Sequence, residues 1–301
     1  MPNIVVIGSL AYDSIYTPSG AAERALGGSS NYFSLAASLY TKVRVVGVVG
    51  EDYLATDLEL LTHRGVDVSG VQKLPGKTFH WAGKYEGDLN EAQTLVTELN
   101  VFETFSPKLP EKYRDSEYVF LANIDPDLQM SVLEQVKKPR VIACDTMNFW
   151  ISSKLNSLKK VIEKVDVLLI NEGEAKILTG APNAIAAAPL LNKMGPKAVV
   201  IKRGEYGFAL YHDSHFFILP AFPISKVIDP TGAGDTFAGG FMSYLAQHSG
   251  DLSRESLRNA CIRGSMLASF TVQDFSIRAL LKLSAADVEK RQAEYRKVIS
   301  L

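Results

Sequence analysis

The stretch VIDPTGAGDTFAGGFMSYLA, from Val227 to Ala246, sets two aspartates on either side of a Thr-Gly-Ala-Gly turn and follows them with an apolar, small-residue segment. Gly232, Ala233 and Gly234 let the backbone turn sharply and let another group approach its amides. Phe237, Phe241, Met242 and Leu245 then recur at helical spacing, while Ala238, Gly239, Gly240 and Ala246 permit close packing. A helix that opens on small residues suits an anion. Asp235, in its first turn, would repel that anion unless it has a separate task. Phosphoryl transfer supplies one: the amides of residues 232–234 stabilise charge on the transferred group while Asp235 takes the proton of the attacking hydroxyl. A plain helix cap needs one acid at the boundary and has no use for Gly-Ala-Gly.

Two other motifs carry less. GVQKLPGKT ends like a phosphate-binding P-loop, but the spacing from Gly70 to Gly76 is one residue too long, and a strand-like run follows where a P-loop has a helix. His212 and His215 lie beside Phe216 and Phe217, a pattern of strand and turn rather than of a helix presenting metal ligands.

DPTGAGDTFAGGFM resembles the C-terminal signature of the ribokinase-like carbohydrate kinases, the PfkB family, and the resemblance extends over essentially the whole chain. It implies that Asp235 is the catalytic base and that Gly232, Ala233 and Gly234 form the anion hole. Asp229 and Thr231 stand where many members place a monovalent-cation loop, for which potassium is the candidate ion. INEGEAKIL resembles the family's Asn-x-x-Glu element, which makes Asn171 and Glu174 organisers of magnesium and phosphate, mostly through water; a helix N-cap at Asn171 is compatible with that role. VVIKRGEYGFALY resembles the strand and turn beside the nucleotide and carries over Lys202, Gly204 and Gly207. GSLAYDSI points to Asp13 as the grip on substrate hydroxyls, and GGSSN places Gly27, Gly28 and Asn31 against the substrate. Ser29 stands where Gly, Ala or Pro is more usual in the family, Phe33 where a small residue is usual, and Ala11 replaces a frequent asparagine, which leaves the acceptor open.

The elements that must position these residues read as an alternation. Strand-like NIVVIGS, VRVVGVVG, YVFLAN, RVIACDT, DVLLIN and AVVIKRG are separated by helical patterns at 30–40, 52–64, 126–137, 149–165 and 172–179. Short, almost continuously apolar strands between helices predict an α/β fold: a three-layer sandwich with a mostly parallel central sheet covered on both faces. Ligands bind such sheets outside the carboxyl ends of the strands, which here are Ser9, Asn123, Asp145, Asn171 and Gly204. Residues 77–102 break the alternation, and with 10–26 they predict a small β-lid on a single domain spanning 1–301. A last helix is expected over 285–299.

With 301 residues, 47% hydrophobic, the chain can bury a large core. Its 32 basic and 33 acidic residues leave no basic field for nucleic acid, and no apolar run approaches the roughly 18 residues that span a membrane. Cys144 and Cys261 fit reduced thiols, and the chain reads as cytoplasmic. The resemblance implies a kinase that uses ATP and Mg2+ to phosphorylate a hydroxyl, expected to be a hydroxymethyl, of a sugar or sugar derivative. A nucleoside kinase of the same family is the alternative, because Tyr12, Phe33, Phe79, Trp81 and Tyr85 offer faces for a base; the same faces suit a lid core or a homodimer contact through the lid. A non-catalytic sugar-binding regulatory protein would keep the fold without needing Asp235.

Overall fold

A computed structural model describes residues 3–87, 89–90 and 92–300. The strands, in chain order, are β1 Asn3–Ile7, β2 Ala11–Thr17, β3 Gly20–Gly27, β4 Lys42–Val49, β5 Asp67–Lys73, β6 Phe79–Tyr85, β7 Ala92–Glu98, β8 Tyr118–Leu121, β9 Val141–Cys144, β10 Val167–Asn171, β11 Ala198–Lys202, β12 Phe208–His212 and β13 His215–Leu219. Among the described residues they make two sheets: a large one ordered β13-β12-β11-β10-β9-β8-β1-β4-β5 and a small one ordered β3-β2-β6-β7. The run from β11 to β5 is parallel, and the hairpin β12-β13 closes one edge antiparallel.

The parallel strands are apolar throughout because both faces are covered. Ile4 and Val6 of β1 join the core under the helices Ser29–Ala37, Ala233–Gln247 and Arg254–Thr271, whereas Val5 and Ile7 face the opposite core under Leu155–Ile162 and Ala184–Asn192. Adjacent residues of one strand thus feed opposite layers, as the pleat requires. Both cysteines are buried free thiols, and no helix among the described residues is long and apolar enough to cross a membrane.

Two expectations change in detail. The helical pattern over 149–165 divides into Asn148–Ser153 and Leu155–Ile162, because Lys154 leaves helical geometry (φ −135°, ψ 37°) and turns its ammonium to Asp125 and Asp127, 2.7 and 2.6 Å away. The segment 77–102 leaves the small sheet at Glu98; Val101 and Phe102 enter a short 3-10 turn, Asn100–Thr104, and pack into the core. The remainder of 77–102 forms β6 and β7, and residues 11–27 form β2 and β3, with β2 parallel to β6.

Candidate active site

Because β1, β8, β9, β10 and β11 run parallel, their carboxyl ends meet along one edge of the large sheet. Asn171 and Lys202 are register partners at the ends of β10 and β11. From β11 the Lys202 side chain passes over the end of β10 to Asp145, just after β9, with Nζ 2.6 Å from Oδ2. Both side chains are largely buried. Nζ also lies 2.9 Å from where a Cβ of Gly234 would stand, so the ammonium faces the start of the Ala233–Gln247 helix.

That start is built by the Asp229–Asp235 segment. Asp229 is fully buried, and its two carboxylate oxygens accept the N–H groups of Thr231 (2.8 Å) and Ser276 (2.9 Å). Gly232 takes a left-handed conformation (φ 74°, ψ 0°) as the N-cap, and a methyl group there would run into the ring of Tyr32. Only glycine meets both demands. The Ala233 N–H donates to the Pro230 carbonyl at 3.2 Å, so it is engaged in the turn itself. Gly234 and Asp235 lie in the first helical turn, where N–H groups lack intrahelical acceptors. Asp235 keeps part of its surface exposed although protein encloses it on most sides. Its carboxyl is pushed up to about 7, by burial first, then by the Asp145 charge, against which Lys202 pulls down.

Asn171 caps the helix Glu172–Thr179 through a reciprocal box: its Oδ1 accepts the Glu174 N–H at 2.8 Å, and Glu174 Oε2 accepts the Asn171 N–H at 2.9 Å. Asn171 is exposed and Glu174 is buried. Burial, and then the Asp145 charge, raise the Glu174 carboxyl above the usual range. Asp145, Glu174 and Asp235 therefore share the single Lys202 cation. Asp145 is the residue that the sequence reading placed only as a polar strand end; a carboxylate closing a buried parallel strand is the same signal that singled out Asn171. Gly204 and Gly207 lie in the turn between β11 and β12, both at positive φ (56° and 81°), and Gly204 faces the side chain of Asn90, between β6 and β7.

The other wall comes from β2, β3 and the Ser29–Ala37 helix. Asp13 is buried on β2, and its Oδ2 accepts the Gly28 N–H at 3.3 Å. Gly27, at the end of β3, presses its Cα against that carboxylate, which leaves no room for a Cβ. Burial is the main cause that raises Asp13 to about 7, with the Gly28 N–H opposing and the Asp229 and Asp235 charges adding. Asn31 donates from Nδ2 to the Gly27 carbonyl (2.6 Å) and to the Tyr53 hydroxyl (3.2 Å), so its amide nitrogen braces the loop. Ser29 binds Ser9 reciprocally, N–H to Oγ in both directions at 3.0 and 3.1 Å, which ties the helix start to the end of β1 and gives the hydroxyl a use. Of the aromatic faces that could serve a base, Phe33 is withdrawn: it is fully buried and stacks on Phe120 at 4.5 Å. Phe79 stacks on Phe102, Trp81 bonds Thr94, and the Tyr85 hydroxyl accepts from Thr231 Oγ1 at 3.1 Å.

The chain is similar to known proteins in sequence and in fold. Residues 1–282 match the model of the pfkB family carbohydrate kinases. The cytidine kinase of Thermococcus kodakarensis is 34% identical over 249 residues, 81% of this chain and 88% of that protein. The nucleoside kinase of Methanocaldococcus jannaschii has the same fold, with a TM-score of 0.78 at 19% identity over 98% of this chain and 99% of that one. A putative ribokinase II from E. coli, solved in complex with ATP and Mg2+, aligns with a TM-score of 0.74 at 19% identity over 98% of this chain and 100% of that one. The chain belongs to the pfkB family of carbohydrate kinases, phosphotransferases that act on the hydroxyl groups of sugars or nucleosides.

Proposed function

We propose that this chain transfers the γ-phosphate of ATP to a hydroxymethyl group of a nucleoside or sugar, with Asp235 as general base. The observation that carries the reading is Asp235 in the first turn of a helix whose second residue, Gly234, faces the Lys202 ammonium. A carboxylate poised near neutrality is matched to proton transfer at working pH. The acceptor O–H gives its proton to Asp235 as its oxygen bonds phosphorus; the bond from the γ-phosphorus to the bridging oxygen breaks, and ADP leaves. Lys202 and the N–H groups that open the helix stabilise the charge on the phosphoryl oxygens. Asp13 orients the acceptor, braced by Gly27, Gly28 and Asn31. Gly204 and Gly207 shape the turn assigned to the nucleotide.

Magnesium fits the residues present. Asp145 and Glu174 offer hard carboxylate oxygens and Asn171 an amide, yet no group of three or more His, Cys, Asp or Glu among the described residues forms a metal cage. Such a set would hold the ion mostly through water alongside nucleotide phosphates, where it would neutralise phosphate charge. For potassium, the buried Asp229 charge supports a cation loop with Thr231: it receives two N–H groups and takes part in no ion pair found among the described residues. The small sheet is read as the lid that excludes water. Its edge strand β7 is exposed along its whole length, with Leu95 and Val96 outward, which supports pairing with a second copy.

Between the acceptor classes, the cytidine kinase relative favours a nucleoside. ADP release should be measured with magnesium, in potassium and in sodium, across ribonucleosides, ribose and hexoses. Turnover on a ribonucleoside or a sugar is the expected result. Binding of a sugar without turnover on any of them would instead identify a sugar-binding regulatory protein.

A further inference from the structure

Of the five aromatic residues that could serve a base, four are committed to the protein itself. Phe33 is fully buried on Phe120, and Phe79 stacks on Phe102 against the core. Tyr12 packs its ring on Tyr53, under the Arg24 guanidinium, and its hydroxyl bonds Asp57. Tyr85 is 8% exposed and bonded to Thr231. Trp81 differs: it is half-buried and joins neither hydrophobic core.

A partly exposed aromatic ring is ordinary by itself, but two devices hold this one in a set pose. Its six-membered ring occupies the place where a Cβ of Gly83 would stand, 2.1 Å from Cη2, so the strand gives up a side chain to admit it. Glycine weakens a strand interior and marks the close approach of another group; here that group is the indole. Nε1 then donates to Thr94 Oγ1 on β7 at 3.3 Å, which fixes the ring across two strands.

The register of the small sheet decides which way the ring looks. Asp13 of β2 and Trp81 of β6 are register partners, so their side chains leave the same face, on strands about 4.8 Å apart. Tyr85, four residues further along β6, shares that face and reaches Thr231, in the turn that leads to Asp235. The face that presents the indole is therefore the one that carries the acceptor grip and meets the catalytic turn.

We propose that the Trp81 indole, folded over Gly83, is the platform against which the base of a nucleoside acceptor stacks while Asp13 holds the sugar hydroxyls. This rests on the acceptor reading above and narrows it to nucleosides: an indole one strand from Asp13 lies within reach of a ring carried on the sugar, and a free pentose has no such ring. Every base presents a π-face, so the platform favours nucleosides over sugars without selecting one base.

The test removes the platform in two ways. Trp81→Leu deletes the aromatic ring, whereas Gly83→Ala keeps it and takes its seat on the sheet; Trp81→Phe restores a smaller ring. Cytidine, adenosine and ribose are the probes, in steady-state assays with MgATP and beside thermal melts. In Trp81→Leu and Gly83→Ala the nucleoside KM should rise about tenfold or more, the scale of one lost base–aromatic stack, while kcat, the ATP KM and the thermal midpoint stay near the parent values. Trp81→Phe should recover much of the loss. In a Trp150→Phe background Trp81 is the remaining indole, and its fluorescence should respond to cytidine or adenosine but not to ribose.

A parent-like nucleoside KM in both Trp81→Leu and Gly83→Ala overturns the proposal, as does an indole indifferent to a nucleoside that the parent phosphorylates. Turnover on sugars alone overturns it as well. So does a loss that falls equally on the ATP KM, or that comes with a lowered midpoint and no recovery in Trp81→Phe, which would mark a structural ring. ADP release on no ribonucleoside or sugar defeats the kinase reading, and this inference with it; each of the other failures falls on the inference alone.

Discussion

Lys202 Nζ and Asp145 Oδ2 stand 2.6 Å apart at the carboxyl edge of the sheet, one from β11 and the other just after β9. The pair acts on Asp235 in opposite directions: Asp145 raises its pKa and Lys202 lowers it. The acid limb of the rate profile should therefore move to higher pH in Lys202→Met and to lower pH in Asp145→Asn. Lys202→Met should also lose turnover heavily, because a phosphoryl-facing cation is gone and three buried or partly buried carboxylates are left without their shared partner. Profiles of kcat/KM against pH for both variants check this; two shifts in the same direction would break the assignment.

Asp235→Asn should retain the helix start and lose the base, lowering kcat by about 10² to 10⁴ fold. Its stability should respond in the other direction. A carboxyl raised from its ordinary range to about 7 binds more protons folded than unfolded between those values, so it costs stability increasingly as pH rises through that window. The variant should melt above the parent at pH 8, with the difference shrinking toward pH 4. Thermal midpoints across that range, alongside ADP release, separate a base from a cap, whose loss would lower the midpoint and spare the chemistry.

Gly27→Ala places a methyl group where the Asp13 carboxylate now lies. The acceptor KM should rise at least tenfold while the ATP KM stays close to the parent value, since the atoms nearest the added methyl group all belong to Asp13. Steady-state kinetics with each substrate varied in turn decides it; equal losses for both would point to general unfolding of the wall.

Leu95→Glu puts a charge on the exposed face of the edge strand β7. If two copies pair there, sedimentation should show dimer for the parent and monomer for the variant, with the fold retained. A parent that sediments as a monomer at micromolar concentration removes the pairing.

The layered sheet was legible because each strand of the parallel core is buried on both sides, which forces unbroken runs such as NIVVI and VLLIN. The Asp229–Asp235 turn was legible for a similar reason: a left-handed cap under an aromatic ring admits only glycine, and a base needs a carboxylate, so chemistry and backbone geometry both constrain the letters. Tertiary structure alone decided which distant groups share a charge. Nothing in the letters of RVIACDT links Asp145 to Lys202, because that bond depends on strand order, and on a side chain long enough to pass over β10. The same holds for the division of the aromatic residues. Phe33 and Tyr32 are neighbours on one helix, but adjacent helical positions point in different directions. One stacks on Phe120 in the core, and the other carries a buried hydroxyl under the turn that leads to Asp235. Composition and period predict that both are covered, whereas only the packing of this helix against β8 on one side and the turn at Gly232 on the other decides what covers each.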